Sequence, residues 1–305
     1  MKAGTNLEKV LESGRFAVTA EAGPPKGTSA KAVQKKGEVL RSCCDAVNVT
    51  DNQTAIVRMC SLAGCTLLKQ LGVDPVMQMV TRDRNRIAIQ SDVLGAVALG
   101  IGNILCLSGD HQKFGNHPTA KGVFDIDSVQ LIQTLKRLRD EKKFLCGEEV
   151  AGEVTIFIGA VENPYADPFE FRVTRLAKKV KAGADFIQTQ AVYDIAKFTR
   201  WMEMVAERGL DKQVHILAGV IPIRSAGMAR YMRDYVSGVS VPDSVVARME
   251  QAVNAKEEGA RIALEIIEQL KEIPGLHGIH IMAVGWEDIV PEIVAKAGLL
   301  PRPIL

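Results

Sequence analysis

The chain reads as an α/β protein and, more narrowly, as a single (β/α)8 barrel with extra helices before its last strand. Three observations predict it. Short apolar, branched runs start near residues 16, 46, 76, 104, 154, 186, 214 and 278, and segments of helical spacing lie between them. Apart from two long insertions, the starts are about thirty residues apart, the size of one βα unit. Eight such units in 305 residues match the length of one closed parallel barrel.

Taken in order, Phe16 to Ala22 forms the first strand, ended by Gly23-Pro24-Pro25, and Ala30 to Arg41 the helix after it, capped by Thr28 or Ser29. A second strand, Ala46 to Val49, opens on Thr50-Asp51-Asn52 and precedes a helix near Thr54 to Leu71. Strand three is Val76 to Val80, followed by a helix from Ile87 to Leu99. Strand four, Ile104 to Leu107, is apolar enough to be buried on both faces and delivers Ser108-Gly109-Asp110-His111 at its end. Residues 112 to 125 show little periodicity, so this loop is expected to cover a site. The helix Asp127 to Glu141 leads to strand five, Val154 to Val161, and the helix Glu170 to Lys181 to strand six, Phe186 to Val192. Helix Ala196 to Arg208, strand seven (Val214 to Ile223), two helices (Ala226 to Val236 and Ser244 to Lys271), strand eight (Gly278 to Val284) and a helix Trp286 to Ala297 complete the count. Leu99-Gly100-Ile-Gly102 and Ala182-Gly183-Ala184-Asp185 each read as a glycine-terminated helix feeding a strand. Gly100-x-Gly102 precedes a strand, so it is no dinucleotide fingerprint.

Composition excludes several function classes. A net charge of +2 and no run of five basic residues argue against a nucleic-acid surface. No apolar run reaches eighteen residues, and Met1 to Arg15 is too polar for a signal peptide, so a cytoplasmic protein is expected. Six cysteines, with an adjacent pair and no Cys-x-x-Cys, suit reduced thiols. Cys60 and Cys65 could be half of a metal site, but no second pair follows, and no metal is expected.

In a barrel every strand's C-terminal end faces one mouth. The residues gathered there are Glu21, Thr50, Asp51, Gln78, Thr81, Asp110, His111, Glu162, Gln190 and Ser225. They include no cysteine nucleophile, and no strand lysine is placed for a Schiff base. Glu21, among small apolar residues, is a candidate general acid, because burial raises a carboxyl pKa; its alternative is an ion pair at the rim. Asp110 is either a site carboxylate or a turn cap. Gln190 offers a donor and an acceptor to a heterocycle, or plugs the core. His215, His277 and His280 belong to the core or to solvent.

Together these residues resemble the methylenetetrahydrofolate reductase family. The resemblance rests on Glu21 followed by Pro24-Pro25, Leu107-Ser108-Gly109-Asp110, Ala182-Gly183-Ala184-Asp185 with Thr189-Gln190 and Asp194, and Gly219-Val-Ile-Pro222. It spans nearly the whole chain and implies one flavin-binding barrel domain, residues 1–305, that reduces 5,10-methylenetetrahydrofolate to 5-methyltetrahydrofolate with hydride from reduced flavin. It makes Glu21 the general acid, Asp110 the carboxylate between flavin and pterin, and Gln190 a pterin ligand. Thr50, Gly109, Asp110, Ala160 and Lys179 fall at flavin-contacting positions, Lys179 toward the phosphate. The chain resembles the short bacterial form without a regulatory domain.

The departures bear on cofactor and partner. Ser108 replaces the family's arginine, Glu162-Asn163-Pro164-Tyr165-Ala166-Asp167 stands where a tyrosine and a histidine are usual, and Arg172 replaces an aspartate. Several of these serve the adenosine half of FAD, so the cofactor expected is FMN or FAD, FAD being the family norm and the departures favouring FMN. Ala226-Gly227 stands where an aromatic residue packs on folate or nicotinamide. In this the chain resembles the subgroup from anaerobes whose members work with a companion protein, so the resemblance implies as electron donor NAD(P)H or, in preference, a companion redox protein, in an oligomer or hetero-complex. The alternatives are a flavin-free pterin-binding transferase barrel and a docking subunit of an electron-transfer complex.

Overall fold

The computed structural model describes residues 1–236 and 238–305. Eight strands pair in parallel in sequence order and close on themselves, β8 against β1, as a (β/α)8 TIM barrel. They are β1 (Ala17–Ala22), β2 (Ala46–Val49), β3 (Pro75–Val80), β4 (Asn103–Leu107), β5 (Phe157–Glu162), β6 (Phe186–Ala191), β7 (His215–Val220) and β8 (Gly278–Ile281). Around them run α1 (Asn6–Glu12), α2 (Ala30–Leu40), α3 (Ser61–Gln70), α4 (Arg86–Ala98), α5 (Ser128–Lys136), α6 (Phe171–Ala182), α7 (Ile195–Glu207), α8 (Ala226–Tyr235), α9 (Asp243–Gln251), α10 (Ala255–Lys271) and α11 (Val290–Lys296). No helix among the described residues is long and apolar enough to cross a membrane.

Alternation along each strand sorts the side chains into two cores. Val18, Ala20, Val47, Met77, Ile104, Cys106, Ile158 and Ile187 face outward to the helices. Ala17, Ala46, Val76, Leu105, Phe157, Phe186 and Leu217 fill the bottom of the lumen. Above them lies a polar layer. Asn48 and Gln188 exchange two amide hydrogen bonds (2.6 and 3.1 Å), Gln188 Nε2 also donates to Thr19 Oγ1 (3.2 Å), and Thr19 Oγ1 meets His280 Nδ1 at 2.9 Å. All four are buried. Burial alone pushes the His280 pKa down to about 3, so it is a neutral core histidine.

Several boundaries differ from the sequence reading. The helix expected from Thr54 begins only at Ser61. Residues 56–60 are tied to the β1 exit instead: Arg58 Nη1 donates to Pro24 O (3.0 Å) and Met59 N to Pro25 O (3.0 Å). The helix expected over 244–271 is two, because Ala252 turns extended and Asn254 caps a fresh start, accepting from Glu257 N. β5 begins at Phe157, three residues past the expected start, and β7 and β8 end at Val220 and Ile281, earlier than expected. Helix α1 went unread. Thr5 caps it, and Leu7, Val10 and Leu11 plug the lumen bottom.

Candidate active site

Every strand end opens on the upper rim, and the mouth is built from there. Glu21, Thr50 and Gln78 follow the inward face of β1 to β3, one step above the Asn48–Gln188 layer. Gln190 reaches the rim from β6 by a bulge. The β6–β7 pairing runs Gln188↔Leu217 and then Ala191↔Gly219, so β6 carries one extra residue. Gly219 makes this possible, since a Cβ there would lie 2.4 Å from Thr189 O. Thr189 Oγ1 accepts from Gly219 N (3.0 Å) and donates to Gln190 O (2.8 Å), which pins the bulge.

Glu21 is partly open at the rim, yet its surroundings hold its proton. Burial comes first among the causes, then the charge of Glu287, and together they raise its pKa to about 7 against the opposing pull of Lys36, Gln78 and Gln53. Gln53 Nε2 donates to Glu21 Oε1 at 3.4 Å, and the next residue, Thr54, donates its backbone N–H to Asp110 Oδ2 at 3.1 Å. Two consecutive residues of the β2 loop therefore link the two candidate acids. This loop is strained: Asn52, Thr54 and Ala55 all have positive φ (46°, 56° and 55°), a region costly for side chains other than glycine.

The loop 112–125 packs against that strained segment. A Cβ on Gly115 would fall 1.8 Å from Ala55 O, so only glycine allows the approach. Val123 N and Phe124 N bond to Arg82 O and Thr81 O. Arg82 is buried and donates to Asp110 O (2.9 Å), Asn52 O (3.2 Å) and Asp83. It ties the ends of β2, β3 and β4 together.

Contacts sort the rim residues into frame and site. Asp51 is committed to Arg84 (2.6 Å) and Val80 N, Glu162 to Lys179 (2.8 Å), Ser225 to capping α8, and His111 Nδ1 to Lys113 N. Glu21, Thr50, Gln78, Asp110 and Gln190 remain for chemistry. Thr50 is 1% exposed and its Oγ1 lacks a hydrogen-bond partner among the described residues, as does Thr81 Oγ1 on the adjoining strand. Gly109 (φ 86°) presents exposed backbone beside them. An orphaned hydroxyl, a bare glycine and an exposed carboxylate fit the ring of a flat, polar-edged cofactor such as a flavin.

The other two positions have a different character. Ala160 points its methyl into the outer core, so only its backbone lies along the mouth. Lys179 donates to Val161 O and to Glu162, and burial lowers its pKa against the pull of that carboxylate. Its ammonium is matched inside the fold. Gln53, Lys36, Glu287 and Arg82 were not singled out in the sequence. The first follows a strand end by four residues, and Lys36 and Glu287 are 251 positions apart.

Comparison with known proteins agrees with this architecture. The family model for methylenetetrahydrofolate reductase matches residues 6–298. Methylenetetrahydrofolate reductase 1 of Schizosaccharomyces pombe is 26% identical over 236 residues, 75% of this chain and 36% of the relative. The 5,10-methylenetetrahydrofolate reductase of Escherichia coli is 23% identical over 207 residues, 66% of this chain and 62% of that protein. The chain thus spans about a third of the yeast relative. Among solved structures, an uncharacterized Clostridium thermocellum protein that binds two copies of 5-methyl-5,6,7,8-tetrahydrofolic acid superposes with a TM-score of 0.66 at 14% identity, covering 96% of this chain and 97% of that one. At that identity the likeness is one of fold. With a family match from Asn6 to Gly298, a closed barrel and a mouth of this composition, the chain belongs to the methylenetetrahydrofolate reductase family.

Proposed function

We propose that this chain, as one flavin-binding barrel domain over residues 1–305, reduces 5,10-methylenetetrahydrofolate to 5-methyltetrahydrofolate. The observation that carries the reading is Glu21, a carboxyl held protonated to about pH 7 at the lumen top, linked through Gln53 and Thr54 to the open carboxylate Asp110. A bound reduced flavin would supply the hydride. Glu21 gives its proton to N10 of the folate as the C–N10 bond breaks, leaving the 5-iminium cation that accepts hydride at its methylene carbon. Asp110 would supply the negative charge that favours that cation. Gln190 offers its amide to the donor and acceptor edge of the pterin. Thr50, Gly109 and Asp110 would hold the flavin ring, and Ala160 offers backbone to it.

Phosphate binding is the weaker part of the fit, since Lys179 is neutralised by Glu162. Ser108 is exposed, and Arg172 is half-buried and bonded to Asp167 O and Pro168 O, which supports FMN over FAD. Six free thiols, with Cys43 and Cys44 Sγ atoms 3.8 Å apart, support a reducing cytoplasm as the place of action. Electrons would come from a companion redox protein in preference to NAD(P)H alone.

The test is anaerobic. Purified chain should carry one flavin, its identity given by mass, and dithionite-reduced protein should be reoxidised by methylenetetrahydrofolate with formation of 5-methyltetrahydrofolate. Failure to bind any flavin on reconstitution would favour a flavin-free pterin-binding transferase. Flavin without a folate reaction would favour a docking subunit of an electron-transfer complex.

A further inference from the structure

Two charged side chains, Lys36 and Glu287, bear on Glu21 among the described residues, and they are bonded to each other. Lys36 lies at the end of the second turn of α2, and Glu287 in the 3-10 turn (Glu287–Ile289) that follows β8. Lys36 Nζ donates to Glu287 Oε1 at 2.5 Å and to Gly23 O at 2.9 Å, two residues past Glu21 on the β1 exit. The side chains are 29% and 12% exposed, so the pair is mostly shielded from solvent beside the β1 exit. The other polar neighbours of Glu21 are the amides of Gln53 and Gln78, which do not titrate.

A lone, largely buried ion pair is weak evidence for stability, because desolvation offsets much of its Coulomb attraction. Its position gives it another use. The Glu287 carboxylate disfavours a second negative charge on Glu21, whereas the Lys36 ammonium favours one. Because Lys36 is engaged by Glu287, its charge is largely answered before Glu21 meets it. The apolar strand end sets the base level, and the pair decides what charge the carboxyl sees.

We propose that Lys36 and Glu287 are a positioning pair, bonded to each other beside the β1 exit, that sets the charge Glu21 faces: Glu287 favours its proton-bearing form and Lys36 tempers that preference. The inference rests on the reading of Glu21 as the general acid, and it adds two residues from distant elements to that reading. It requires that the two partners act with opposite sign. Loss of the Glu287 charge removes a repulsion and frees an ammonium beside Glu21, so Glu21 should ionise at lower pH. Loss of Lys36 leaves two carboxylates facing each other, so one of them should hold its proton to higher pH.

The experiment titrates Glu21 directly, by carboxyl carbon NMR on 13C-glutamate-labelled full-length chain, with the Glu21 signal assigned by its loss in Glu21→Gln. In Glu287→Gln the midpoint should fall by roughly one pH unit, and in Lys36→Met rise by about as much, a tenfold change in proton affinity each way. Lys36→Arg should keep the parent midpoint. The alkaline limb of the folate half-reaction should move with each midpoint while the thermal midpoint of unfolding stays near the parent value. Midpoints that stay fixed, or that move the same way in both variants, overturn the pair's role and leave Glu21 as acid untouched. A folate step that keeps its rate and its alkaline limb in Glu21→Gln overturns the acid itself, while the NMR shifts still judge the pair.

Discussion

The two ends of the barrel use the same residue type for opposite ends. At the bottom, Asp45, Asp74 and Asp185 each stand one residue before a strand, and each accepts a backbone N–H of another segment: Val18 N (2.7 Å), Leu7 N (2.9 Å) and Ile158 N (2.7 Å). Asp45 is also held by Arg302 and Asp185 by Arg139 (2.7 Å). Helix α1 closes the lumen beneath stacked Phe157 and Phe186, whose centroids are 5.2 Å apart. At the mouth, Glu21 and Asp110 are only lightly bonded, two threonine hydroxyls lack partners among the described residues, and Asn52, Thr54 and Ala55 of the β2 loop sit at positive φ. A satisfied carboxylate builds the frame, and an under-satisfied one next to strained backbone is available for chemistry. Asp185 shows the point well: it belongs to a motif that carries the family resemblance, yet its oxygens are spent on the fold.

The sharpest way to break this contrast is Glu21→Gln. It keeps shape and hydrogen bonding but removes a transferable proton, so fold and flavin content should survive. Transfer from reduced flavin to methylenetetrahydrofolate should fall by about 10²–10⁴, the usual worth of a general acid. In the parent protein the same step should lose rate as pH rises through about 7, because the raised pKa keeps Glu21 protonated below that value and ionised above it. Stopped-flow flavin absorbance reads both. A loss below about tenfold would return Glu21 to the rim ion-pair reading.

The matching substitution at the bottom is Asp185→Ala. It strips a buried pair and leaves Arg139 and Ile158 N without their partner, so stability should fall by about 3–5 kcal/mol. Flavin content and the folate half-reaction of the still-folded fraction should be near the parent values. Denaturant unfolding beside single-turnover rates separates the two. Asp110→Asn should do the reverse, with little change in stability and a loss of about 2.7–4 kcal/mol in the folate step, the range measured for electrostatic groups at developing charge. If the Asp110→Asn protein reoxidises at the parent rate, Asp110 is a cap for Thr54 and no more.

Much of this contrast was legible in the sequence, for reasons tied to particular residues. The barrel could be read because strands such as Ile104–Leu107 and helices such as 86–98 carry local signals, and because Ser29 caps the helix after the first strand as expected. Glu21 and Gln190 could be placed near the mouth because each stands toward the C-terminal end of a strand. The strained turn at Gln53–Ala55 could not: its segment has helical composition, and long-range bonds from Arg58 and Met59 to the β1 exit override it. Nor could the Lys36–Glu287 contact, which joins α2 to the turn after β8 and exists only once the barrel closes. The commitment of Lys179 to Glu162 was hidden for the same reason, since a buried lysine and a phosphate-binding lysine look alike in one dimension.

The smallest effect concerns the β7 side of the mouth, which the contrast leaves bare. Ser225 caps α8, Ala226 and Gly227 open it, and neither offers an aromatic surface to a nicotinamide. NADH alone should therefore reduce the bound flavin slowly. Space is available to repair this, because a Cβ on Gly227 would meet nothing nearer than Ser225 Oγ at 3.9 Å, and the residue is exposed. Stacking of one aromatic system on another is worth about 0.5–1.5 kcal/mol beyond burial. Gly227→Phe should accordingly speed NADH-driven flavin reduction about 2- to 13-fold, with the folate half-reaction unchanged. Anaerobic flavin bleaching under NADH, parent against variant, measures it. Rapid bleaching of the parent without any partner would remove the argument for a companion protein. A slow parent with no gain in the variant would mean that the nicotinamide does not approach over α8.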